Sequence, residues 1–273
     1  MINVFAFKTG INECILNNKR SLSMKLLFLL IISFPMSAQS ILENSINVIY
    51  VDNKSIDDIQ STINGDILPV IYLNNPDFST LVVSEKKIKF IDFILPAILI
   101  EKEKIQKAYN YVLDNFNDLH LNDETDFLYE YCDCKTTYEL LLCFTNQPTS
   151  IIIAQAAIES GWGTSRFFLE GFNLFGIHSH GNNSQNLKAQ NSSRVYVKKY
   201  NNISESISHY LRTLARAGAY SEYRKHRANS KDVLHVINYL TNYSERRKLY
   251  IDDVRSIIQY NKLDRYDTLK INH

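Results

Sequence analysis

Glycine, proline and tryptophan are scarce in this chain: 8, 5 and 1 among 273 residues. So few breakers exclude a collagen-like or linker-rich protein, and neither internal repeats nor heptads are present. Excess charge is missing too, since 30 Lys and Arg face 29 Asp and Glu for a formal charge of +1. Nucleic-acid binding needs a clustered basic face, so no nucleic-acid partner is expected. The marked apolar run LLFLLIISF has nine residues, far short of the roughly 20 that a spanning helix requires. No stable membrane insertion follows. Three cysteines, Cys132, Cys134 and Cys143, without a neighbouring His pattern do not make a zinc site, and no cofactor is expected. What is plentiful is tyrosine, with 17 residues in a chain that is 45% hydrophobic. That richness suits sugar or protein recognition and equally a tyrosine-padded core.

The nine-residue run follows Met24-Lys25 and precedes PMSAQS. A basic start, a short apolar stretch and a small residue before a cleavage point are the parts of a secretory signal. Residues 24–38 are therefore expected to be a signal peptide cut after Ala38, and 1–23 an over-called start. The protein is expected to cross the inner membrane and remain periplasmic. Losing 1–38 removes four basic residues and one Glu, leaving a mature charge near −2. Cys132, Cys134 and Cys143 then meet an oxidising compartment, where one disulfide and one odd thiol result. Because neighbours in a Cys-x-Cys pair bridge poorly, Cys134 with Cys143 is the expected pair.

Residues 39–85 mix short β-like runs (INVIYV, LPVIYL) with turn residues and are expected to be an extension whose role is not legible. From Lys86 the pattern turns helical. Ile105, Ala108, Tyr109, Val112, Leu113 and Phe116 fall at spacings of three and four, one face of a helix, and Pro96 sits where a helix starts or kinks. A second helix is expected over 149–160, entered from Pro148 and stopped by Gly161. Residues 171–200 lose this periodicity, and VYVKKY alternates like a strand. A third helix opens with Asn202-x-x-Glu205, close to a capping box, and carries Ile207, Tyr210, Leu211 and Leu214 on one face. Further helices are expected near 230–242 and 245–261, each capped by a preceding serine. The fold class is mainly α with a small β excursion.

One acid stands out. In IIIAQAAIESGWGTSRF, Glu159 lies where an apolar helix ends. A helix C-terminus carries partial negative charge, and apolar surroundings also disfavour a carboxylate. Both effects hold a carboxyl group protonated near neutral pH, which is what cleaving a glycosidic bond demands of its proton donor. Gly161 and Gly163 leave open backbone beside it. A frayed, solvated glutamate at a helix end is the alternative.

AQAAIESGWGTSRF, the following NLFGI and the later YLRTLARAGAYSEYR together resemble the glucosaminidase domain of glycoside hydrolase family 73, nearest its Bax-like peptidoglycan hydrolases. The likeness runs from about Lys86 to YSERRKLYIDDVRSIIQYNKL at 243–263. It implies that 86–273 form a lysozyme-like helical domain with a small β-hairpin lobe. It also implies hydrolysis of the β-1,4 bond after N-acetylglucosamine in peptidoglycan glycan strands, with Glu159 as catalytic acid. By the same likeness Tyr220 is an active-site tyrosine that orients the acetamido group or a water. Asn173-Leu174-Phe175-Gly176 form the turn into the β-lobe. Ser160, Trp162, Asn173, Phe175 and Tyr210 are the residues expected around substrate, with Trp162 either a stacking surface or a cap under the helix.

One departure from the family pattern matters. Many members carry a second glutamate on the hairpin, yet 171–200 contain no Asp or Glu. Glu170 fits a surface helix end and Glu205 fits capping, so no pair of carboxylates is assigned and a single-acid mechanism follows. His178 and His180 are too few for a metal site. A lytic transglycosylase or muramidase of the same fold is one rival reading, and a catalytically silent glycan-binding module is another. A monomer is assumed.

Overall fold

The computed structural model describes residues 46–119, 125–179, 186–188 and 196–272. The expected signal segment, the over-called start and His180 lie outside these residues. Helices dominate. The first, α1 (Val83–Asp114), is 32 residues long, and every side chain from Phe90 to Glu101 is buried. A helix apolar all round at its middle must be surrounded, and α1 is the rod on which the other elements pack. It runs through Pro96 rather than starting there. Of the six residues expected on its buried face, Ile105, Ala108 and Val112 are inside, whereas Leu113 is 50% and Phe116 39% exposed. The helix leaves the core at Leu113 and ends at Asp114, so Phe116 lies beyond it.

Residues 46–82 share this core. Strand β1 (Ile49–Val51) pairs in parallel with β2 (Val70–Tyr72), whose three side chains are all buried. Tyr72 stacks on Phe93 at 5.4 Å, and the fully buried Phe78 meets Phe90 and Phe93 edge-on. Near the other end of the chain, Asn272 donates its N–H to the Ile67 carbonyl at 2.9 Å.

Two helices that carry no strong sequence signal, α2 (Asp126–Cys132) and α3 (Thr137–Phe144), pack together and are joined by a disulfide between Cys132 and Cys143. The expected Cys134–Cys143 pair is therefore incorrect. Cys132 is the last residue of α2 and faces α3, while the left-handed turn at Asp133 (φ 53°) carries Cys134 away as a free thiol. A capping box between Thr136 and Glu139 starts α3.

Helix α4 (Thr149–Ser160) is the central one, with Thr149 to Ala157 buried. Pro148 precedes it and supplies no side-chain cap. The free N–H groups of a first turn need partners, and Asp267 provides one from the far end of the chain. Its carboxylate accepts from the Ser150 N–H and hydroxyl, both at 2.8 Å. Helix α5 (Arg166–Gly171) follows, then an antiparallel sheet of β3 (His178–Ser179), β5 (Tyr196–Lys198) and β4 (Asn186–Lys188), with β5 in the centre. The strand expected from VYVKKY is thus present.

Helix α6 (Ile203–Arg216) begins as expected, with the Asn202 side chain accepting from the Glu205 N–H at 3.1 Å. Its face of Ile207, Tyr210, Leu211 and Leu214 is buried against α1, α2 and α3. Helix α7 (Ser221–Asn229) precedes a region that departs from expectation. In place of one helix near 230–242 there is a single α-turn, α8 (Val233–Val236), and two 3-10 turns, Ile237–Tyr239 and Thr241–Tyr243. Asp232, not Ser230, caps α8 through bonds from Leu234 and His235. The last helix, α9 (Lys248–Asn261), packs on α4. Among the described residues no single helix is long and apolar enough to cross a membrane.

Candidate active site

Glu159 is the next-to-last residue of α4, and the chain reverses directly after it. Gly161, Trp162 and Gly163 all have positive φ, at 59°, 58° and 77°. Three left-handed residues in succession are rare, and the middle one is not glycine, so the turn must be held from outside. Ser160 holds it from within: its hydroxyl donates to the Ala156 carbonyl at 2.6 Å and accepts from the Gly163 N–H at 2.9 Å. Ser160 is fully buried, and both bonds lie inside the turn. Trp162 is pinned edge-on against Phe90 at 5.7 Å, with the Lys87 ammonium 5.0 Å over its ring. The indole thus caps the end of α4 against α1.

The Glu159 side chain is half-buried. Burial raises its pKa above the usual carboxyl range, and a hydrogen bond from Tyr250 partly opposes that rise. The Tyr250 hydroxyl on α9 donates to Glu159 Oε1 at 2.9 Å. Among the described residues it is the carboxyl group's one hydrogen-bond partner. The second oxygen, Oε2, faces the NLFG turn: a β-carbon placed on Gly176 would lie 3.9 Å from it. Gly176 also has φ of 66°, so glycine serves both the turn and the close approach.

Asn173 fixes that turn. Its amide donates to the carbonyls of Ile177 and Lys198, both at 2.9 Å, and its Oδ1 accepts from the Ile177 N–H at 2.9 Å. The NLFG turn is thereby tied to β5. Phe175 is buried and stacks on Tyr210 with centroids 3.9 Å apart. Tyr210 is itself fully buried, with its hydroxyl bonded to Gln155 and Gln147. Asn173, Phe175 and Tyr210 shape the wall behind Glu159 and present no exposed polar surface.

A row of tyrosines forms the other side. Tyr243 stacks on Tyr250 at 5.4 Å and lies 6.2 Å from Tyr210 and 6.4 Å from Tyr220. Tyr220 therefore belongs to the cluster but reaches Glu159 only across Tyr243. Burial pushes the Tyr220 and Tyr243 hydroxyls up, and the Glu159 charge adds to the effect on Tyr243. Tyr243 and Tyr250 carry no signal of their own in the sequence, although both lie in YSERRKLYIDDV. Their seven-residue separation has no helical meaning there because Arg247, with φ of 50°, breaks the chain between them. Glu170 pairs with Arg166 at 2.9 Å, and Glu205 accepts from Asn201 at 3.0 Å. Both carboxylates are thus occupied as surface and capping groups.

A half-buried carboxyl with a raised pKa, a glycine edge before one oxygen and a tyrosine wall behind the other are the parts of a proton-donor site on a mainly helical scaffold, as in glycoside hydrolases. Residues 137–263 match the family described as mannosyl-glycoprotein endo-beta-N-acetylglucosaminidase. That segment is thus similar to the glucosaminidases of glycoside hydrolase family 73, the family its motifs resemble. The match opens at Thr137, inside the likeness read from Lys86. Protein bax of Escherichia coli (strain K12) is 32% identical over 121 residues, which are 42% of this chain and 43% of that protein. The chain thus spans less than half the length of this relative. The catalytic domain of the autolysin Auto from Listeria monocytogenes is 25% identical with a TM-score of 0.38, over 58% of this chain and 96% of that one. An N-acetylmuramoyl-L-alanine amidase from Staphylococcus aureus is 19% identical with a TM-score of 0.37, over 61% and 45%.

Proposed function

We propose that this protein is a peptidoglycan hydrolase that cleaves the β-1,4 bond after N-acetylglucosamine, with Glu159 as the general acid. The observation that carries the reading is the carboxyl group itself: half-buried, raised in pKa, and open on its Oε2 side toward Gly176. The match of 137–263 to the glucosaminidase family supports the substrate class. Protonated Glu159 gives its proton to the glycosidic oxygen as the C1–O bond breaks. The positive charge growing at C1 is met by the carbonyl oxygen of the substrate's own 2-acetamido group, or by a water oriented by Tyr220 and Tyr243. Water then adds at C1, and its proton returns to the Glu159 carboxylate. No second carboxylate is required.

Export to the periplasm belongs to the same proposal. The signal-like segment 24–38 supports it, and so does the Cys132–Cys143 disulfide, since such bonds persist in oxidising compartments.

The test is digestion of purified sacculi followed by mass analysis of the fragments, with Glu159→Gln in parallel. Reducing-end N-acetylglucosamine from wild type, and a loss of about 100-fold or more in the variant, is the expected result. Anhydro-muropeptides would assign a lytic transglycosylase instead. Equal inactivity of wild type and variant, with both still bound to the glycan, would reduce the protein to a binding module.

A further inference from the structure

Behind Tyr250 the hydrogen bonds continue. Gln155 Nε2 donates to the Tyr250 hydroxyl at 3.1 Å, and the Tyr210 hydroxyl donates to Gln155 Oε1 at 2.6 Å. Gln147 Nε2 donates to Tyr210 at 3.2 Å, and Arg227 Nη1 donates to Gln147 Oε1 at 3.3 Å. Tyr223 adds a second donor to the same Gln147 oxygen. Every member of this chain, Tyr250, Gln155, Tyr210, Gln147 and Arg227, is at most 7% exposed. It links α7 to α9 through the middle of the molecule and ends on Glu159.

Its direction is decided at one end. A guanidinium has donors only, so the atom of Gln147 that meets Arg227 must be the oxygen, and its amide nitrogen must face Tyr210. Tyr210 therefore accepts from Gln147, and its hydrogen finds its acceptor at Gln155 Oε1. Gln155 in turn presents its nitrogen to Tyr250, which leaves the Tyr250 hydrogen to Glu159. Any single reversal would strand a buried hydroxyl or amide hydrogen without an acceptor, at the cost of its desolvation. Arg227 also donates to the carbonyls of Leu142 and Cys143, at 2.9 and 3.3 Å. It makes no ion pair among the described residues.

We propose that Arg227 and Gln147 are positioning residues that set the direction of this relay, so that Glu159 Oε1 always accepts from Tyr250 and the acid's proton resides on Oε2. Oε2 is the oxygen that faces Gly176 and the open side of the site. The inference rests on the reading of Glu159 as proton donor only for its catalytic consequence; the placement of the proton follows from the hydrogen-bond inventory. The titratable groups that face Glu159 are Tyr250 from α9 and Tyr243 from the preceding turn.

Gln147→Glu tests the proposal. The new carboxylate still accepts from Arg227 and Tyr223, so the fold is kept, but it now also accepts from Tyr210. Gln155 must then turn over, Tyr250 donates to Gln155, and Glu159 loses its donor. In carbon-13 NMR titrations of the full-length protein labelled in glutamate, with Glu159→Gln for assignment, the Glu159 midpoint is expected to rise by about one pH unit, a tenfold change in acid dissociation. Tyr250→Phe is expected to do the same, and Tyr223→Phe, which removes a side donor without reversing anything, to leave the midpoint in place. On sacculi, Gln147→Glu is expected to lower kcat with KM unchanged and to move the alkaline limb upward. A folded Gln147→Glu protein whose Glu159 titrates like wild type overturns the relay, as does a Tyr223→Phe shift of equal size. The titration decides this even where no cell wall is cleaved, so failure of the relay and failure of the proposed activity are separate results.

Discussion

Replacing Gly163 by Ala probes the turn that carries Glu159. Gly163 has φ of 77°, and a β-carbon there would lie 2.6 Å from Phe78 Cδ2 and 2.8 Å from Phe90 Cδ2. A left-handed alanine costs about 1–2 kcal/mol in backbone strain. Both rings are fully buried, and Phe78, Phe90, Phe93 and Phe168 pack on one another, so neither can withdraw. Overpacking of this kind adds roughly 1–3 kcal/mol. Gly65 is the control: its φ is 79°, but nothing lies within 4 Å of the added carbon. Gly65→Ala should therefore show the backbone cost alone. In urea unfolding the difference between the two variants isolates the steric part, expected at about 2 kcal/mol. Thermal melts should show Gly163→Ala falling further by roughly 6 °C. Equal losses at the two glycines would refute the claim that the phenylalanine cluster closes this turn. The folded fraction of Gly163→Ala should also lose activity, because relief of the clash lifts the turn that begins two residues after Glu159.

Glu159 has a folded-state pKa raised by burial, so the native state holds its proton more tightly than the unfolded chain. Stability from this group is full below the unfolded pKa and is lost as pH rises through the folded one. Glu159→Gln cannot ionise, so its melting temperature should gain on wild type across that window and level off above it. For the disulfide, Cys143→Ser should cost about 3 kcal/mol in denaturant unfolding, given a sequence separation of 11 between the bridged cysteines. Cys134→Ser should cost far less, and a non-reducing peptide map with a 134–143 cross-link would contradict the observed pairing. Burial pushes the Cys134 thiol up to about 12, so native protein should resist iodoacetamide at pH 8 and react once unfolded.

Local patterns were enough wherever the physics is local. The apolar run IIIAQAA, Gly161 after it and the alternation in VYVKKY specify α4, its left-handed stop and β5 without reference to anything distant. The same holds for Asn202 as the cap of α6 and for Glu159 as an acid at the wrong end of a helix. Periodicity misled where it outran the core, at Leu113 and Phe116, and where 3-10 turns replaced a helix after Val236. Cys132 rather than Cys134 takes the bridge because a turn of chain direction at Asp133, not spacing, decides which sulfur faces α3.

The surroundings of Glu159 were illegible for a different reason. Tyr250 lies 91 residues away, and Tyr210, Gln147 and Arg227 come from three further segments. Each looks like an ordinary core or helix residue in its own neighbourhood, because hydrogen-bond direction is a property of the assembled chain of donors and acceptors. By itself the sequence determined that an acid would stand at the end of a buried helix, beside glycines that let a ligand approach. Only the packing of α9 against α4, and of α7 against α3 and α6, decided which of its two oxygens is held and which is left free, since a buried network has one direction in which every hydrogen finds an acceptor.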